Sequence, residues 1–250
     1  MPTQVATGVH RLGDDFVNFF AIEEGTELTR VDAGLPAHYG QLTALLASIG
    51  RSVRDVRALL LTHAHLDHVG LAGRLVSEAG TAVWAHALDL PALANPLKPA
   101  PGAEPERSLG RYLLRRPSTL RLPLHIVRSG ALRTPAVTSA QPFPDSPTLD
   151  IPGRPRMVEV PGHTPGSVAF HLPDRGVVLT GDALVTDDRL AGRAGPTILC
   201  AGFTHDTARA LASLDALANL GADVVLPGHG DPFAGDIADA VAQAQQAGAA

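Results

Sequence analysis

The amino-acid sequence predicts an α/β layered fold, because strand-like and helix-like segments alternate along most of the chain. Apolar runs of strand length, such as VRALLL at 56–61 and GVVLTGDA at 176–183, are bounded by polar, glycine or proline residues. Between them lie segments with helical spacing of apolar residues, such as GQLTALLASIG at 40–50. Such alternation is typical of sheets covered by helices.

The first part of the chain predicts four strands and two helices in order. Glu24-Gly25 is interpreted as the turn between two strands, and Gly50 and Gly80 as helix ends. The segments are FVNFFAIEEGTELTRVDAG (two strands, 16–34), GQLTALLASIG (helix, 40–50), VRALLL (strand, 56–61), VGLAGRLVSEAG (helix, 69–80) and TAVWAH (strand, 81–86).

The second part resumes the alternation after a segment that breaks it. Residues 95–152 are rich in proline and contain one predicted helix, SLGRYLLRR, so they are interpreted as an insertion within a single domain that spans 1–250. The later segments are RMVEVPGH, SVAFHL, GVVLTGDA and ADVVLPGHG (strands), DTARALASLDALANLG (helix) and a closing helix from about Gly235.

Composition excludes several classes of protein. The chain has 250 residues, 45% of them hydrophobic, and a net charge of −5, which argues against nucleic acid as a partner. The single cysteine, Cys200, excludes thiolate clusters and intrachain disulfides. The opening residues lack a basic and apolar leader, and no apolar run approaches the about 18 residues of a membrane span. We therefore expect a cytoplasmic protein without a membrane span.

Metal-capable side chains recur where predicted strands end. HAHLDH follows the strand at 56–61, and glycine lies beside the later candidates, where it allows close backbone approach. In an extended chain, alternation places His63, His65 and Asp67 on one side, while His68 needs a turn, expected near Val69. The candidates are Asp32, His63, His65, Asp67, His68, His163, Asp182 and His229.

Other polar residues are interpreted as structural. An isolated histidine among strands is more often a satisfied structural side chain than a ligand. Asp187 and Asp188 are interpreted as a solvated loop. The histidines assigned to structural roles are His10, His38, His86, His125, His171 and His205.

HAHLDH, preceded by VDAG and followed by PGHTPGS, GDAL and LPGHG, resembles the five sequence motifs of the metallo-β-lactamase superfamily of hydrolases. The resemblance runs from Asp32 to His229 and implies a four-layer αβ/βα sandwich. It implies two divalent metal ions, zinc first and iron or manganese as alternatives. By resemblance the first metal takes His63, His65 and His163, the second takes Asp67, His68 and His229, Asp182 bridges both, and Asp32 orients ligands.

The resemblance also implies hydrolysis of a small-molecule acyl substrate by a metal-bound hydroxide, with Asp67 and Asp182 as the carboxylates at the reaction centre. The bond is an ester, thioester, lactone or amide, and the motifs look most like the glyoxalase II and lactonase branch. Glyoxalase II carries a helical extension that this sequence does not show after His229. Alternatives are a β-lactamase-type amide hydrolase, a one-iron persulfide dioxygenase and a non-catalytic binding protein.

The proline-rich segment also carries a strong positive charge. Between Lys98 and Arg133 there are eight basic and two acidic residues, a local balance of +6. One interpretation is a solvated helix. A second is a lid for anionic or amphipathic substrates, formed by Arg111, Tyr112, Arg115 and Arg116. A third is a homo-oligomer contact through Leu109, Tyr112 and Leu113.

Overall fold

The computed structural model describes residues 2–250, whose strands form two large sheets and one hairpin. The first sheet has seven strands that adjoin in chain order: β1 (Thr3–Ala6), β2 (Val9–Gly13), β3 (Asn18–Glu24), β4 (Glu27–Val31), β5 (Val56–Leu60), β6 (Ala82–Ala85) and β7 (Gln141–Pro142). Its strands are antiparallel from β1 to β4 and parallel from β4 to β7.

The second sheet has five strands and lies against the first. Its strands are β8 (Arg156–Glu159), β9 (Val168–Leu172), β10 (Val177–Gly181), β13 (Val224–Pro227) and β14 (Phe233–Ala234). They adjoin in the order β14-β13-β10-β9-β8, and only the β10–β13 pair is parallel. β11 (Val185–Asp188) and β12 (Arg193–Thr197) form the separate antiparallel hairpin.

Eight α-helices are present in residues 2–250, and none is long and apolar enough to cross a membrane. They are α1 (Tyr39–Ser48), α2 (Leu66–Val69), α3 (Ala72–Ala79), α4 (Leu90–Ala94), α5 (Gly110–Arg115), α6 (Arg121–Arg128), α7 (Thr207–Ser213) and α8 (Ile237–Ala247).

Three apolar clusters define four layers. Side-chain alternation in β3 sends Phe20 and Ile22 into the space between the sheets, where they meet Phe170 of β9. The neighbouring Phe19 and Ala21 face the opposite way, into a cluster shared with α1 and α3. On the far side, the second sheet packs against α7 and α8. The predicted αβ/βα sandwich is therefore confirmed.

The sequence missed elements whose apolar pattern is weak. β1 and the hairpin β11–β12 contain exposed or polar residues, such as the VTDD stretch of β11. α7 ends at Ser213, eight residues before the predicted helix end at Gly221, and a 3₁₀ turn at Leu214–Ala216 follows it. Local patterning does not reveal such elements, because their place is set by tertiary pairing.

The 95–152 segment is only partly an addition to the sandwich. Its last part contains β7, which pairs with β6 and completes the first sheet. Its middle part holds two α-helices, α5 and α6, where the sequence predicted one. Pro117 separates them by starting a 3₁₀ turn after Arg116.

The inner cluster gives a direct test of the layered packing. Phe170 is fully buried between the sheets, so Phe170→Ala should lower the free energy of unfolding by about 3–5 kcal/mol. Leu88→Ala is the matched control, because Leu88 is 53% exposed and its truncation leaves no cavity. Urea unfolding of both variants measures the difference, and equal losses would contradict the four-layer packing.

Candidate metal centre

The seven predicted metal ligands come together at the ends of strands. His63 and His65 follow β5, His163 follows β8, Asp182 follows β10 and His229 follows β13. Potential ligand atoms lie within 4.8 Å of one another in each of two groups. The first group is His63, His65, His163 and Asp182, and the second is Asp67, His68 and His229.

The turn that divides HAHLDH comes earlier than the sequence suggested. α2 begins at Leu66, and the His68 amide donates to the His65 carbonyl at 3.0 Å. Asp67 therefore lies on a helical turn instead of an extended strand, so the expectation that it faces the same side as His63 and His65 is wrong. The turn sends Asp67 and His68 to the second group.

Asp182 is the carboxylate that lies between the two groups. Its Oδ2 lies 3.0 Å from Nε2 of His229, 3.4 Å from Nε2 of His163 and 3.6 Å from Nε2 of His63. Its Oδ1 lies 3.4 Å from Nε2 of His68. Each oxygen thus faces at least one imidazole nitrogen, and the side chain is 3% exposed.

Several buried polar atoms in this centre lack a hydrogen-bond partner. They include Nε2 of His63, Nε2 of His68 and Oδ1 of Asp182. Nδ1 of His65 and Nε2 of His163 face each other at 2.9 Å. Buried nitrogen and oxygen atoms without hydrogen-bond partners are costly. Here such atoms point toward a common centre, as the ligands of a divalent cation with nitrogen and oxygen ligands do. The residues present therefore fit a metal centre.

Charge and burial divide the histidines into two kinds. Burial lowers the pKa of His63 and His163 well below the usual value, so both rings are neutral and available as ligands. Burial acts in the same direction on His68 and His229, but Asp182 and other carboxylates raise the pKa of His68 to about 10 and that of His229 to about 9. The negative potential that favours protons on these two rings also favours a divalent cation.

Asp32 lies beside the second ligand group and contacts the ring of His68. Its Oδ2 accepts from Nδ1 of His68 at 2.9 Å and from the Thr62 hydroxyl at 2.8 Å, and its Oδ1 accepts from the Thr62 amide. The backbone of Asp32 is left-handed, with φ of 59°. Beneath it, the buried Arg30 donates to the carbonyls of Phe20 and Asp32. Burial lowers the pKa of Arg30 to about 9, although Asp32 acts to raise it.

Asp89 is a buried carboxylate of the site that sequence reasoning missed. Its Oδ2 accepts from the Ala64 amide and from the Thr164 hydroxyl, each at 3.1 Å. It therefore joins the loop that carries His63 and His65 to the loop that carries His163. Burial raises its pKa, and its side chain is 1% exposed. The signal in the sequence was an acidic residue shortly after the strand TAVWAH.

A second network holds His229. Its Nδ1 contacts the Phe16 carbonyl, which fixes the ring with Nε2 toward Asp182. The loop of Phe16 is held by Asp14, whose Oδ1 accepts from the Phe16 amide at 2.8 Å. Oδ2 of Asp14 lies 2.9 Å from Nε2 of His38 and 2.7 Å from Nε2 of His125. Burial acts to raise the pKa of Asp14, but hydrogen bonds and the two histidines lower it.

The remaining polar predictions have mixed outcomes. His10 lies beside Glu23, and His205 contacts the Glu104 carbonyl, so both have structural partners. Asp188 does not lie in a solvated loop, which corrects that interpretation. It is fully buried, and it accepts from the amides of Ala191 and Cys200. These contacts arise because Asp188 ends β11 of the missed hairpin, where the turn to β12 and the segment after β12 supply the two amides.

A cleft of about 360 Å³ opens on the metal centre. His65, Asp67, His163, Asp182 and His229 form its floor. Much of its wall is apolar. The apolar wall residues include Phe16, Leu66, Leu122, Ile126, Leu190 and Phe203.

The 95–152 segment contributes to the cleft through side chains other than those predicted. Leu122 and Ile126 of α6, together with residues from Pro96 to Pro105, line it. The predicted lid residues Arg111, Arg115 and Arg116 are exposed and do not line it. Tyr112 is buried against Leu190 and Cys200, and its hydroxyl donates to the Ala250 carbonyl at 2.9 Å. Its ring is therefore already packed within the chain.

Comparison with known proteins agrees with this geometry. The sequence profile of the metallo-beta-lactamase superfamily matches residues 12–229. The probable metallo-hydrolase YflN of Bacillus subtilis is 27% identical over 244 residues, which cover 93% of this chain and 87% of YflN.

Solved structures give the same answer for the fold. The metallo-beta-lactamase family protein TTHA1429 of Thermus thermophilus superposes with a TM-score of 0.67 at 27% identity, covering 98% of this chain and 80% of that protein. The Rm3 metallo-beta-lactamase has a TM-score of 0.69 at 17% identity, covering 98% and 91%, and so supports the fold alone. The chain therefore belongs to the metallo-beta-lactamase superfamily and is a metallo-hydrolase of that superfamily.

Proposed function

We propose that this enzyme is a binuclear metal-dependent hydrolase that cleaves an ester, thioester, lactone or related acyl bond in a small molecule. The observation that carries the proposal is Asp182, which faces both groups of ligand atoms. Its Oδ2 faces His63 and His163 of the first group as well as His229, and its Oδ1 faces His68 of the second. The first group would hold one ion and Asp67, His68 and His229 would hold the second. Imidazole and carboxylate ligands suit zinc, and iron or manganese can occupy the same ligand set.

Divalent ions bound here would supply a water-derived nucleophile near neutral pH and polarise the acyl oxygen. Asp182 would serve as a ligand of both ions. Asp32 and the Phe16 carbonyl keep His68 and His229 in fixed orientations. Asp67 is 14% exposed at the cleft floor, so it is the ligand carboxylate placed to touch a substrate.

The cleft favours an acyl group that is apolar. Phe16, Leu122, Ile126 and Phe203 can bury a hydrocarbon chain, which is worth about 0.8 kcal/mol for each CH₂ group. Lys98 is the basic side chain at the rim that has no acidic partner within residues 2–250, and it can attract an anionic substituent. These features support an amphipathic acyl substrate.

The persulfide dioxygenase alternative is less well supported. A one-iron enzyme needs only one ligand group, whereas both groups are complete here and His68 is held by a carboxylate of its own. An amide substrate is chemically compatible with the same site, and no contact in the cleft favours it over an ester.

Metal content is the first test. Protein reconstituted with excess zinc should contain about two ions per chain by elemental analysis, because Asp182 of the first ligand group also faces His68 and His229 of the second. His229→Ala should fall toward one. His205→Ala is the control, since His205 lies outside both groups and should leave the content unchanged. One ion per chain in the saturated wild type would refute the binuclear proposal.

Asp32→Asn tests how the second ion is held. Asparagine tolerates the left-handed backbone at this position, so the substitution removes charge without straining the chain. His68 loses its carboxylate partner, and the Kd for the second zinc should rise by about 10–100-fold in chelator competition. Asp174→Asn, on the exposed surface, should change nothing. An unchanged second Kd in Asp32→Asn would contradict the orienting role.

A hydrolysis assay without oxygen distinguishes a hydrolase from a persulfide dioxygenase. Zinc-loaded wild type should hydrolyse esters or lactones anaerobically, and Asp67→Ala should lower kcat by about 10²–10³-fold because the second ligand group is broken. His205→Ala again serves as the control. If the wild type hydrolyses none of these substrates yet consumes oxygen with a persulfide, the hydrolase proposal is wrong.

A further inference from the structure

The segment over the cleft carries an unusual concentration of exposed apolar side chains. Within residues 2–250, seven of the eight exposed large hydrophobic side chains lie between Leu97 and Leu132. They are Leu97, Leu109, Leu114, Leu120, Leu124, Val127 and Leu132. Leu114 is 87% exposed, and apolar side chains grouped in this way indicate an interaction surface.

The same segment carries unpaired positive charge. Its eight basic residues are all exposed, and none forms an ion pair with any residue in 2–250. The segment has a balance of +6 within a chain of −5, so the remainder of the chain has a balance of −11. The positive charge of the protein is therefore concentrated in this segment, and the rest of the chain carries an excess of negative charge.

α6 shows how apolar and basic side chains share one surface. Leu122 and Ile126 occupy the face that lines the cleft. Leu120, which directly precedes α6, and Leu124 and Val127 within it follow the spacing i, i+4, i+7 and form an outward stripe at 54%, 49% and 49% exposure. Arg121 and Arg128, seven residues apart, lie along one side of that stripe.

Contacts of His125 on the inner side of α6 fix the orientation of this helix. His125 lies 2.7 Å from Asp14, and its ring stacks on Phe16 with centroids 4.3 Å apart. The outward stripe therefore faces away from the sandwich because the other face of α6 is already engaged. We call the outward side chains of residues 114–133 the outer patch: Leu114, Leu120, Leu124, Val127, Leu132, Arg115, Arg116, Arg121, Arg128 and Arg133.

We propose that the outer patch docks on the surface of an anionic phospholipid bilayer. The leucines and the valine would enter the boundary between headgroups and acyl chains, and the arginines would contact lipid phosphates. Apolar contact alone would be weak for a patch of this size. Attraction of several arginines to an anionic surface provides the second contribution that stable interfacial binding requires.

Other occupants fit the patch less well. A second copy packed symmetrically through this patch would bring one positively charged segment against another, which repels. A nucleic acid would pair with the arginines but leave five exposed aliphatic side chains in contact with phosphate and water. An anionic lipid surface is complementary to both kinds of side chain.

The first experiment measures binding and does not depend on the proposed hydrolysis. Metal-loaded full-length protein is floated with vesicles of phosphatidylcholine alone and of phosphatidylcholine with phosphatidylglycerol. Binding should occur to the vesicles that contain phosphatidylglycerol and should weaken at high salt, because screening shortens the range of the attraction. Absence of binding to either vesicle, or equal binding to both, would overturn the proposal.

Matched variants locate the contact. Arg121→Gln with Arg128→Gln should lower the partition coefficient by at least about tenfold, since each arginine near an anionic surface is worth about fivefold. Arg54→Gln with Arg209→Gln removes the same charge from exposed positions elsewhere and should change it little. Leu124→Ser with Val127→Ser should weaken binding, whereas Leu88→Ser, also an exposed aliphatic residue, should not.

Two further results would contradict the assignment. Equal losses in the control and patch variants would mean that net charge alone attracts the protein to vesicles. A dimer in light scattering that Leu124→Ser with Val127→Ser dissociates, without vesicle binding by the wild type, would assign the patch to a second copy.

Discussion

Burial of the Asp182 carboxylate is the constraint on which the rest of the centre depends. An ionised carboxylate in a protein interior is costly unless charges and hydrogen-bond donors surround it. Burial acts to raise the pKa of Asp182, yet His229 and His68, whose own pKa values are raised, hold it well below its usual value. The imidazoles therefore have to reach one point from separate parts of the chain. The fold provides that point where β5 of the first sheet and β10 and β13 of the second sheet end together.

Close approach at this point explains the glycines beside the ligands. A Cβ atom on Gly228 would lie 2.2 Å from Oδ1 of Asp182 and 2.8 Å from Cε1 of His68. A Cβ atom on Gly162, whose φ is 142°, would lie 2.2 Å from the backbone nitrogen of Ala210 in α7. Gly228 leaves room for the carboxylate, and Gly162 lets the loop of His163 pack against a helix. In both positions the glycine sets the geometry of a neighbouring ligand.

The ligands were predictable from sequence because their signals are local. Each lies next to an apolar strand and beside small residues, and four of them occupy one short stretch. Asp89, Asp14 and Arg30 were not predictable in the same way. Each acts through contacts distant in sequence, as when Asp89 accepts from Thr164, 75 positions further along the chain. A single acidic residue in a sequence does not indicate which loops it will join.

The 95–152 segment shows the same limit for surfaces. Its positive charge was evident from composition, but the sequence did not show which side chains face the cleft. α6 resolves this, because it carries apolar residues on two sides and can line the cleft with only one of them. Leu120, Leu124 and Val127 are then left facing water, at a cost that an interaction partner would remove. His125 contacts Asp14, and Asp14 accepts from the amide of Phe16, whose carbonyl orients His229, so one continuous chain of contacts runs from α6 to the metal centre.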